Sequence, residues 1–172
     1  MTSRWQPTLS SDRLLLRPIA ISDFEPLFKA ASDPLIWEQH SEKTRFERSV
    51  FQKFFQGALE CGGGLVAIEP KSGRIIGSSR YYDWNKADES VVIGYSFLER
   101  AQWGTGINAE MKRLMLTHAF QWAKTVWFHV SPENKRSQLA LGKIGATLDR
   151  QEDVLVGGVM SPRMIYRVDG KS

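Results

Sequence analysis

The chain has 172 residues, of which 42% are hydrophobic and 24% charged, a size and composition typical of one globular domain with a single core. No apolar stretch approaches the roughly 18 residues that a membrane-spanning helix needs, and residues 1–7 lack the apolar segment of a signal peptide, so we expect a cytoplasmic protein. The single cysteine, Cys61, excludes an intrachain disulfide and a zinc site built on cysteines. The net charge of +4 suits an anionic ligand, but the basic residues do not form the long block typical of nucleic-acid binding.

The first half of the chain predicts one strand, two helices and three further strands. Three leucines at 14–16 predict a short buried strand. Residues 22–32 open with the form of a capping box and continue with apolar residues at helical spacing, which predicts a helix. A second capping box at 44–47 predicts a helix that ends near the glycines at 62–64. Three strand-like runs follow, and their short turns allow only antiparallel pairing; they are Leu65–Glu69, Arg74–Tyr82 and Ser90–Leu98.

The second half of the chain alternates helices with strands. Apolar residues recur at helical spacing over 107–123, and a short apolar run at 126–130 follows as a strand. A strand, a long helix and a second strand imply parallel pairing through a right-handed crossover. A helix over 134–143 and two strands at 146–156 and 160–168 complete the chain. We therefore expect an α/β fold with a mixed sheet of seven strands and about four helices.

A glycine-containing turn joins the predicted strand ending at Leu98 to the best-marked helix. Its residues 103–106 are Trp-Gly-Thr-Gly, and the N–H groups at the start of a helix, with the positive end of the helix dipole, form a site for an anion such as a diphosphate. The glycines equally suit a simple tight turn. A Walker A loop is excluded because its G-x-x-x-x-G-K-[ST] string does not occur, and a dinucleotide fold is disfavoured because residues 127–131 lack the expected acidic residue.

The order of several segments resembles the acetyl-CoA core of the GCN5-related N-acetyltransferases (GNAT). These segments are the strand at 93–98, the turn at 103–106, and the sequences Asn-Lys-Arg-Ser at 134–137 and Lys-Ile-Gly-Ala at 143–146. The leucine-rich strand within 12–18 resembles in particular the branch of ribosomal-protein N-terminal acetyltransferases, RimJ and RimL. The resemblance implies transfer of acetyl from acetyl-CoA to a primary amine by direct attack in a ternary complex, without a metal. It also implies a sheet that splays between the strands at 90–98 and 126–130.

The resemblance assigns acetyl-CoA contacts to the end of one strand, the turn after it and the start of the last helix. The residues so assigned are Tyr95, Phe97, Leu98, Trp103, Gly104, Thr105, Gly106, Ile107, Asn108, Asn134 and Ser137. Only Gly106 matches the family's loop pattern, yet the binding groups are backbone N–H donors, which survive changes of side chain. Asn134 also fits the N-cap of the following helix.

Two catalytic residues that are common in the family are replaced in this sequence. Leu141 stands where many members have a tyrosine that protonates the departing thiolate, so we assign that role to Ser137. Val92 stands where many members have a glutamate base, so the proton of the amine needs another acceptor. One candidate is Glu89, three residues before Val92 but on the opposite face of a regular strand. The others are Glu38, His40 and Glu42, in the segment between the first two helices that borders the acceptor groove in this family.

Other functions remain open from the sequence. The missing tyrosine and glutamate are compatible with a non-catalytic module that binds or senses acyl-CoA. The basic excess and six tryptophans are compatible, less strongly, with a ribosome- or nucleic-acid-associated protein. For an enzyme, the acceptor amine could be a protein N-terminus, a polyamine, an amino acid or a drug-like amine, and the protein could form a homodimer.

Overall fold

An eight-stranded mixed sheet organises the fold, with helices on both of its faces; the computed structural model describes residues 3–156 and 158–171. In chain order the strands are β1 (Leu9–Ser10), β2 (Leu15–Pro18), β3 (Gly64–Glu69), β4 (Arg74–Asn85), β5 (Ser90–Leu98), β6 (Thr125–Val130), β7 (Thr147–Val156) and β8 (Val159–Asp169). The helices are α1 (Phe24–Ala31), α2 (Pro34–Trp37), α3 (Arg48–Glu60), α4 (Ile107–Ala119) and α5 (Lys135–Lys143). No helix within the described residues is long and apolar enough to cross a bilayer.

The strand order across the sheet is β1-β2-β3-β4-β5-β6-β8-β7. The first five strands pair antiparallel, β5 and β6 pair parallel through the α4 crossover, and β8 pairs antiparallel with both β6 and β7. The expected mixed α/β architecture is confirmed. The sheet has eight strands rather than seven because Leu9–Ser10 pairs with the start of β2, a pairing too short to leave a periodic pattern.

The helices differ from the expected ones in number and boundaries. There are five α-helices rather than about four in the described part of the chain, since the side chain of Asp33 caps the extra single turn α2 by accepting from the N–H of Leu35 at 3.0 Å. The helix expected from residue 44 begins at Arg48. The Thr44 hydroxyl donates a hydrogen bond of 2.7 Å to the Glu42 carboxylate, so it does not cap a helix and no capping box forms there. The long helix expected over 107–123 ends at Ala119.

Asp23 explains how the first helix begins. Its carboxylate accepts two hydrogen bonds from the Arg17 guanidinium, both at 2.8 Å, and one from the Ala20 N–H at 2.8 Å. This network holds a short 3-10 turn over Ile21–Asp23, after which α1 starts at Phe24. The burial of Asp23 is compatible with its charge because each oxygen has a partner.

Two hydrophobic layers sandwich the sheet. One layer lies between the sheet and α4 and α5, with Met111, Met115 and Leu141 buried against strand residues such as Ile93. The other lies under α1, α2 and α3, where Trp37 and the phenylalanines of α3 pack on the opposite face. A cleft that opens through the sheet is therefore bordered by α4 and α5 on one side and by α1, α2 and α3 on the other.

A β-bulge in β5 reverses which face its side chains meet. Tyr95 and Ser96 lie opposite the single residue Ser79, and Tyr95 has a φ of +50°. Ile93 packs in the layer of α4, whereas Phe97 packs in the layer of α1–α3, although residues four apart in a regular strand share a face. The extra residue of the bulge accounts for the reversal. It turns the end of β5 away from a regular ladder.

Candidate active site

The central feature of the site is a cleft between two parallel strands that diverge. Pairing of β5 with β6 is confined to Ser90–Val92 against Thr125–Trp127. Beyond Val92 the strands separate, and a cleft of about 1270 Å³ opens between them. It is lined by the rest of β5, the end of β6, the starts of α4 and α5, and residues from the α2–α3 connection. The expected splay between these strands is confirmed.

One end of the cleft is the turn before α4. Gly106 is the N-cap of α4 with a φ of +86°, and Gly104 has a φ of +74°, a region that favours glycine. The first helical hydrogen bond runs from the N–H of Glu110 to the Gly106 carbonyl at 3.1 Å. The N–H groups of Asn108 and Ala109 precede this bond in a helix whose first donors have no helical acceptor, and both residues line the cleft. The turn therefore presents donors and a positive dipole end to the cleft.

The structure separates the turn residues into lining and supporting ones. Trp103, Gly104, Gly106 and Asn108 line the cleft, as do Tyr95, Phe97 and Leu98 of β5. The Thr105 hydroxyl donates to the Gln102 carbonyl at 2.6 Å, and the backbone carbonyl of Thr105 accepts from the Arg13 guanidinium at 2.5 Å. Thr105 therefore stabilises the turn without lining the cleft. Ile107 is buried in the layer of α4. Thr105 and Ile107 are thus not brought to the cleft.

The start of α5 forms a second wall. The Asn134 side chain accepts from the N–H of Ser137 at 3.1 Å, so the residue is the expected N-cap, and it is buried. Ser137 is half-buried and lines the cleft beside Leu141. The guanidinium of Arg136 lies 3.8 Å from the ring centre of Trp103 and ties α5 to the turn before α4.

The candidate bases lie in very different places. Glu89 sits before the paired end of β5, forms an ion pair with Lys124 and does not line the cleft. Glu38 is exposed and does not line the cleft. Glu42 does not line it either, and its carboxylate accepts a hydrogen bond from the Thr44 hydroxyl. His40 does line the cleft, but burial and the nearby Arg45 and Arg136 lower its pKa to about 3, so its imidazole is neutral and weakly basic.

Asp83 is a lining residue that sequence reasoning missed. It is the only carboxylate that lines the cleft within the described ranges. It lies near the end of β4 with a φ of +51°, in a second irregularity of the β4–β5 register. Aspartate tolerates this left-handed conformation better than most residues. The sequence marked only the turn after Asp83, at residues 85–88, so nothing in its pattern indicated a place in the cleft.

Lys112 is a buried amine in the wall of the cleft. It lies on α4, donates to the Ser96 hydroxyl, and its Nζ is 5.7 Å from the ring centre of Phe128. Ser96 in turn shares a hydrogen bond of 2.7 Å with Ser79. Burial lowers the pKa of Lys112 to about 7. A lysine between helical apolar positions is normally assigned to the exposed face, which is why the sequence pattern concealed it.

Three arginines gather around Tyr95 on the opposite side, and two of them, Arg45 and Arg163, line the cleft. Arg80 and Arg163 are only 6% and 7% exposed, and Arg45 is half-buried. The Arg80 guanidinium lies 3.9 Å from the Tyr95 ring centre and donates to the Phe54 carbonyl at 3.1 Å. This side of the cleft belongs to the α1–α3 layer, whereas Lys112 and Ser96 belong to the α4 layer.

Comparisons with known proteins agree with this architecture. The profile of the Acetyltransferase (GNAT) domain family matches residues 13–147, which is more than half of the chain. The chain belongs to the GNAT family. Among solved structures, a GCN5-related N-acetyltransferase from Brucella melitensis has a TM-score of 0.80 at 16% identity, covering 95% of this chain and 79% of that chain. RimJ of Mycobacterium smegmatis in complex with CoA-disulfide has a TM-score of 0.75 at 19% identity, covering 98% and 90%. A GNAT-family acetyltransferase from Bacillus anthracis has a TM-score of 0.77 at 17% identity, covering 95% and 98%.

Membership of the GNAT family indicates that the protein is an acyltransferase. The α1–α3 face and the α4–α5 face both open into the same cleft, so two molecules can meet there from opposite sides of the sheet. The charged side chains that the sequence pattern did not indicate are Asp83, Lys112 and the three arginines around Tyr95.

Proposed function

We propose that the protein is an acetyl-CoA-dependent N-acetyltransferase that transfers the acetyl group directly to a primary amine in a ternary complex. The observation that carries the proposal is the opening of the sheet at Val92, with the amide-lined start of α4 at one end of the cleft. A cleft reached from both faces suits a donor and an acceptor bound together. A regular parallel pair has evenly spaced hydrogen bonds along its length, so the loss of pairing after three residues is a specific feature of β5 and β6.

The residues present suit the phosphates and the pantetheine arm of acetyl-CoA. The donors of Asn108 and Ala109 would hold the diphosphate, and a methyl group added at Gly104 would meet no atom within 4 Å, so the space beside the turn is open. The exposed cations Lys135 and Lys143 line the same cleft and favour a charged phosphate. The unpaired edge of β5 beyond Val92 offers peptide groups to the amides of the arm.

The same strand edge would stabilise the reaction's oxyanion. Nucleophilic attack of an amine on a thioester places negative charge on the carbonyl oxygen, and a fixed backbone N–H near the bulge at Tyr95 is a suitable donor. Because the donor is backbone, its position depends on the bulge and not on a side chain. This stabilisation is therefore independent of the tyrosine and the glutamate that Leu141 and Val92 replace.

Three residues that line the cleft, Asp83, Ser137 and Lys112, would manage protons during the reaction. Asp83 would hold the ammonium of the acceptor and take its proton, directly or through water. For the departing thiolate, Ser137 and Lys112 both line the cleft, and a pKa of about 7 lets Lys112 carry or release a proton near neutral pH. We retain Ser137 as the acid and assign Lys112 a supporting charge near the thiolate.

We further infer a relationship to the RimJ and RimL branch. The sequence resemblance to that branch over 12–18 and 93–98, together with the shared fold of RimJ, supports it. Acetylation of a protein N-terminus is the activity such a relationship suggests. Small amines remain substrates to be tested beside peptides.

The experiment is a thiol-release assay with acetyl-CoA and a panel of amines, run beside calorimetric titration with acetyl-CoA. The proposal expects micromolar-range binding and thiol release that depends on both enzyme and amine. Binding without release across peptides, amino acids and polyamines would instead indicate an acyl-CoA sensor. Absence of binding would refute the acetyl-CoA site altogether.

A further inference from the structure

The arginines around Tyr95 are not in direct contact with any carboxylate in the part of the chain that the structure describes, and Glu42 acts on Arg45 only through space. None of Arg45, Arg80 and Arg163 forms a salt bridge there. Arg80 donates to the Phe54 carbonyl, and Arg163 donates to the Ser41 hydroxyl at 3.1 Å and to the carbonyl of the residue before it. These neutral acceptors satisfy N–H groups without balancing charge.

Arg45 has the greatest freedom to bind a ligand. Its guanidinium lies 4.9 Å from the ring centre of Phe54 and 5.9 Å from that of Tyr95, and it makes no hydrogen bond to any residue within the described ranges. It also lines the cleft. Aromatic faces attract the cation but leave all five donors available.

The cluster is unfavourable without a ligand. Burial, together with the charges of Arg80 and Arg163, lowers the pKa of Arg45 to about 10. Burial also lowers the pKa of Arg80 and of Arg163. Buried charges are normally paired, and several like charges in one pocket repel one another. An anion bound among them would remove both penalties.

We propose that this cluster binds an anionic group of the acceptor, so that the amine acetylated by this protein belongs to a molecule that also carries a carboxylate or a phosphate. The inference rests on the proposed function and names its acceptor class. Arginine forks bind both groups bidentately, which fixes the molecule's orientation. Asp83 lines the same cleft and would take the ammonium end, so the site suits an acceptor with one positive and one negative group.

The same charges disfavour polyamines. A polyamine adds positive charge to a cleft whose described lining on this side includes Arg45 and Arg163 and a single carboxylate, Asp83, with Arg80 stacked on Tyr95 nearby. Like charges brought together in a partly buried site cost binding energy. Of the acceptor types open from the sequence, amino acids and peptides with acidic groups fit the site and spermidine does not.

The test compares acceptors that differ only in charge. The pairs are alanine with alaninamide, phosphoethanolamine with ethanolamine, and the peptide amides Ser-Asp and Ser-Asn, with spermidine as a polycation. Values of kcat/KM are expressed per free amine, because the pKa of the amine differs within a pair. We expect the anionic member of at least one pair to be preferred about tenfold or more, and the preferred pair distinguishes carboxylate from phosphate. Preference for the neutral members or for spermidine would overturn the proposal.

Variants connect the preference to the cluster. Arg45→Met should reduce the ratio of anionic to neutral kcat/KM by about tenfold, and Arg45→Lys should restore part of it because the charge returns without the fork. Arg48→Met is the matched control, since that exposed arginine on α3 pairs with Glu25 outside the cleft. An unchanged ratio in folded Arg45→Met would contradict the assignment.

A binding measurement separates this inference from the proposed function. N-acetylalanine and N-acetylalaninamide are titrated calorimetrically into the complex of the protein with CoA, which requires no turnover. Tighter binding of the anionic product with no thiol release from any amine would support the anion site and refute the enzyme. Release with neutral amines and equal binding of the two products would do the reverse.

Discussion

Replacing Lys112 by methionine should change how stability depends on pH. In the unfolded chain the lysine has an ordinary pKa of 10.5, whereas burial in the wall of the cleft lowers the folded value to about 7. Between these values the unfolded chain binds more protons than the folded one, so stability rises with pH across this window. At pH 6 the full shift operates against the folded state, by about 5 kcal/mol, and at pH 9 the penalty falls to about 2 kcal/mol.

The measurement is urea unfolding of the free protein at pH 6 and pH 9. The wild type should gain about 3 kcal/mol more than Lys112→Met over this interval, which is a difference of roughly 1 to 2 M in the urea midpoints. Methionine keeps the length of the side chain and removes the charge. Lys29→Met, at an exposed lysine on α1, should retain the wild-type pH dependence. Parallel pH dependences for wild type and Lys112→Met would refute the burial argument.

The remaining predictions concern the cleft. Asn108→Glu should weaken acetyl-CoA binding about tenfold in calorimetry, because a carboxylate at the start of α4 stabilises the helix but repels phosphate. Ser137→Ala should lower kcat more than it weakens acetyl-CoA binding, since a proton donor to the thiolate acts after the ground state. Asp83→Asn should lower kcat/KM and shift the midpoint of its rise with pH, whereas Glu38→Gln and Glu89→Gln should leave the pH profile at the wild-type midpoint.

Each of these predictions has a specific control or contradicting result. Asn108→Gln adds no charge and should bind acetyl-CoA as the wild type does. If both variants lost affinity equally, the size of the side chain rather than its charge would be the cause. Equal losses of binding and rate in Ser137→Ala would assign that residue to packing. If the pH profile of kcat/KM were unchanged in Asp83→Asn but shifted in Glu38→Gln, the general base would be Glu38, in the exposed segment after α2.

The sequence predicted the backbone of the site better than its side chains. The turn at Gly104 and Gly106, the crossover helix and the Asn134 cap are local features, each encoded by a few consecutive residues. The divergence of β5 from β6 was expected from resemblance, and a strand pattern alone would not reveal where pairing stops. Local chemistry therefore sufficed for the loops, and family resemblance supplied the opening.

The side chains of the cleft depend on long-range placement. Lys112 and Asp83 meet the same cleft from different elements, and Arg45 and Arg163 are 118 positions apart in the chain, so no short pattern joins them. Glu89 was a candidate because it lies three residues before Val92, but it precedes the closed end of the strand pair and its carboxylate is paired with a lysine. Only the three-dimensional fold brings such residues together or keeps them apart.

Arg136 fastens the two halves of the cleft to each other. Its guanidinium stacks on Trp103 of the turn before α4 and donates to the Ile36 carbonyl at 3.1 Å, while its backbone N–H donates to the Gln39 side chain at 3.1 Å. A ligand that stiffens or shifts one of these contacts changes the free energy of the others. Thermodynamic linkage makes the exchange reciprocal, so if acetyl-CoA tightens acceptor binding by a given factor, the acceptor tightens acetyl-CoA binding by the same factor. The apparent affinity for either substrate then depends on the concentration of the other, so the two affinities have to be measured together.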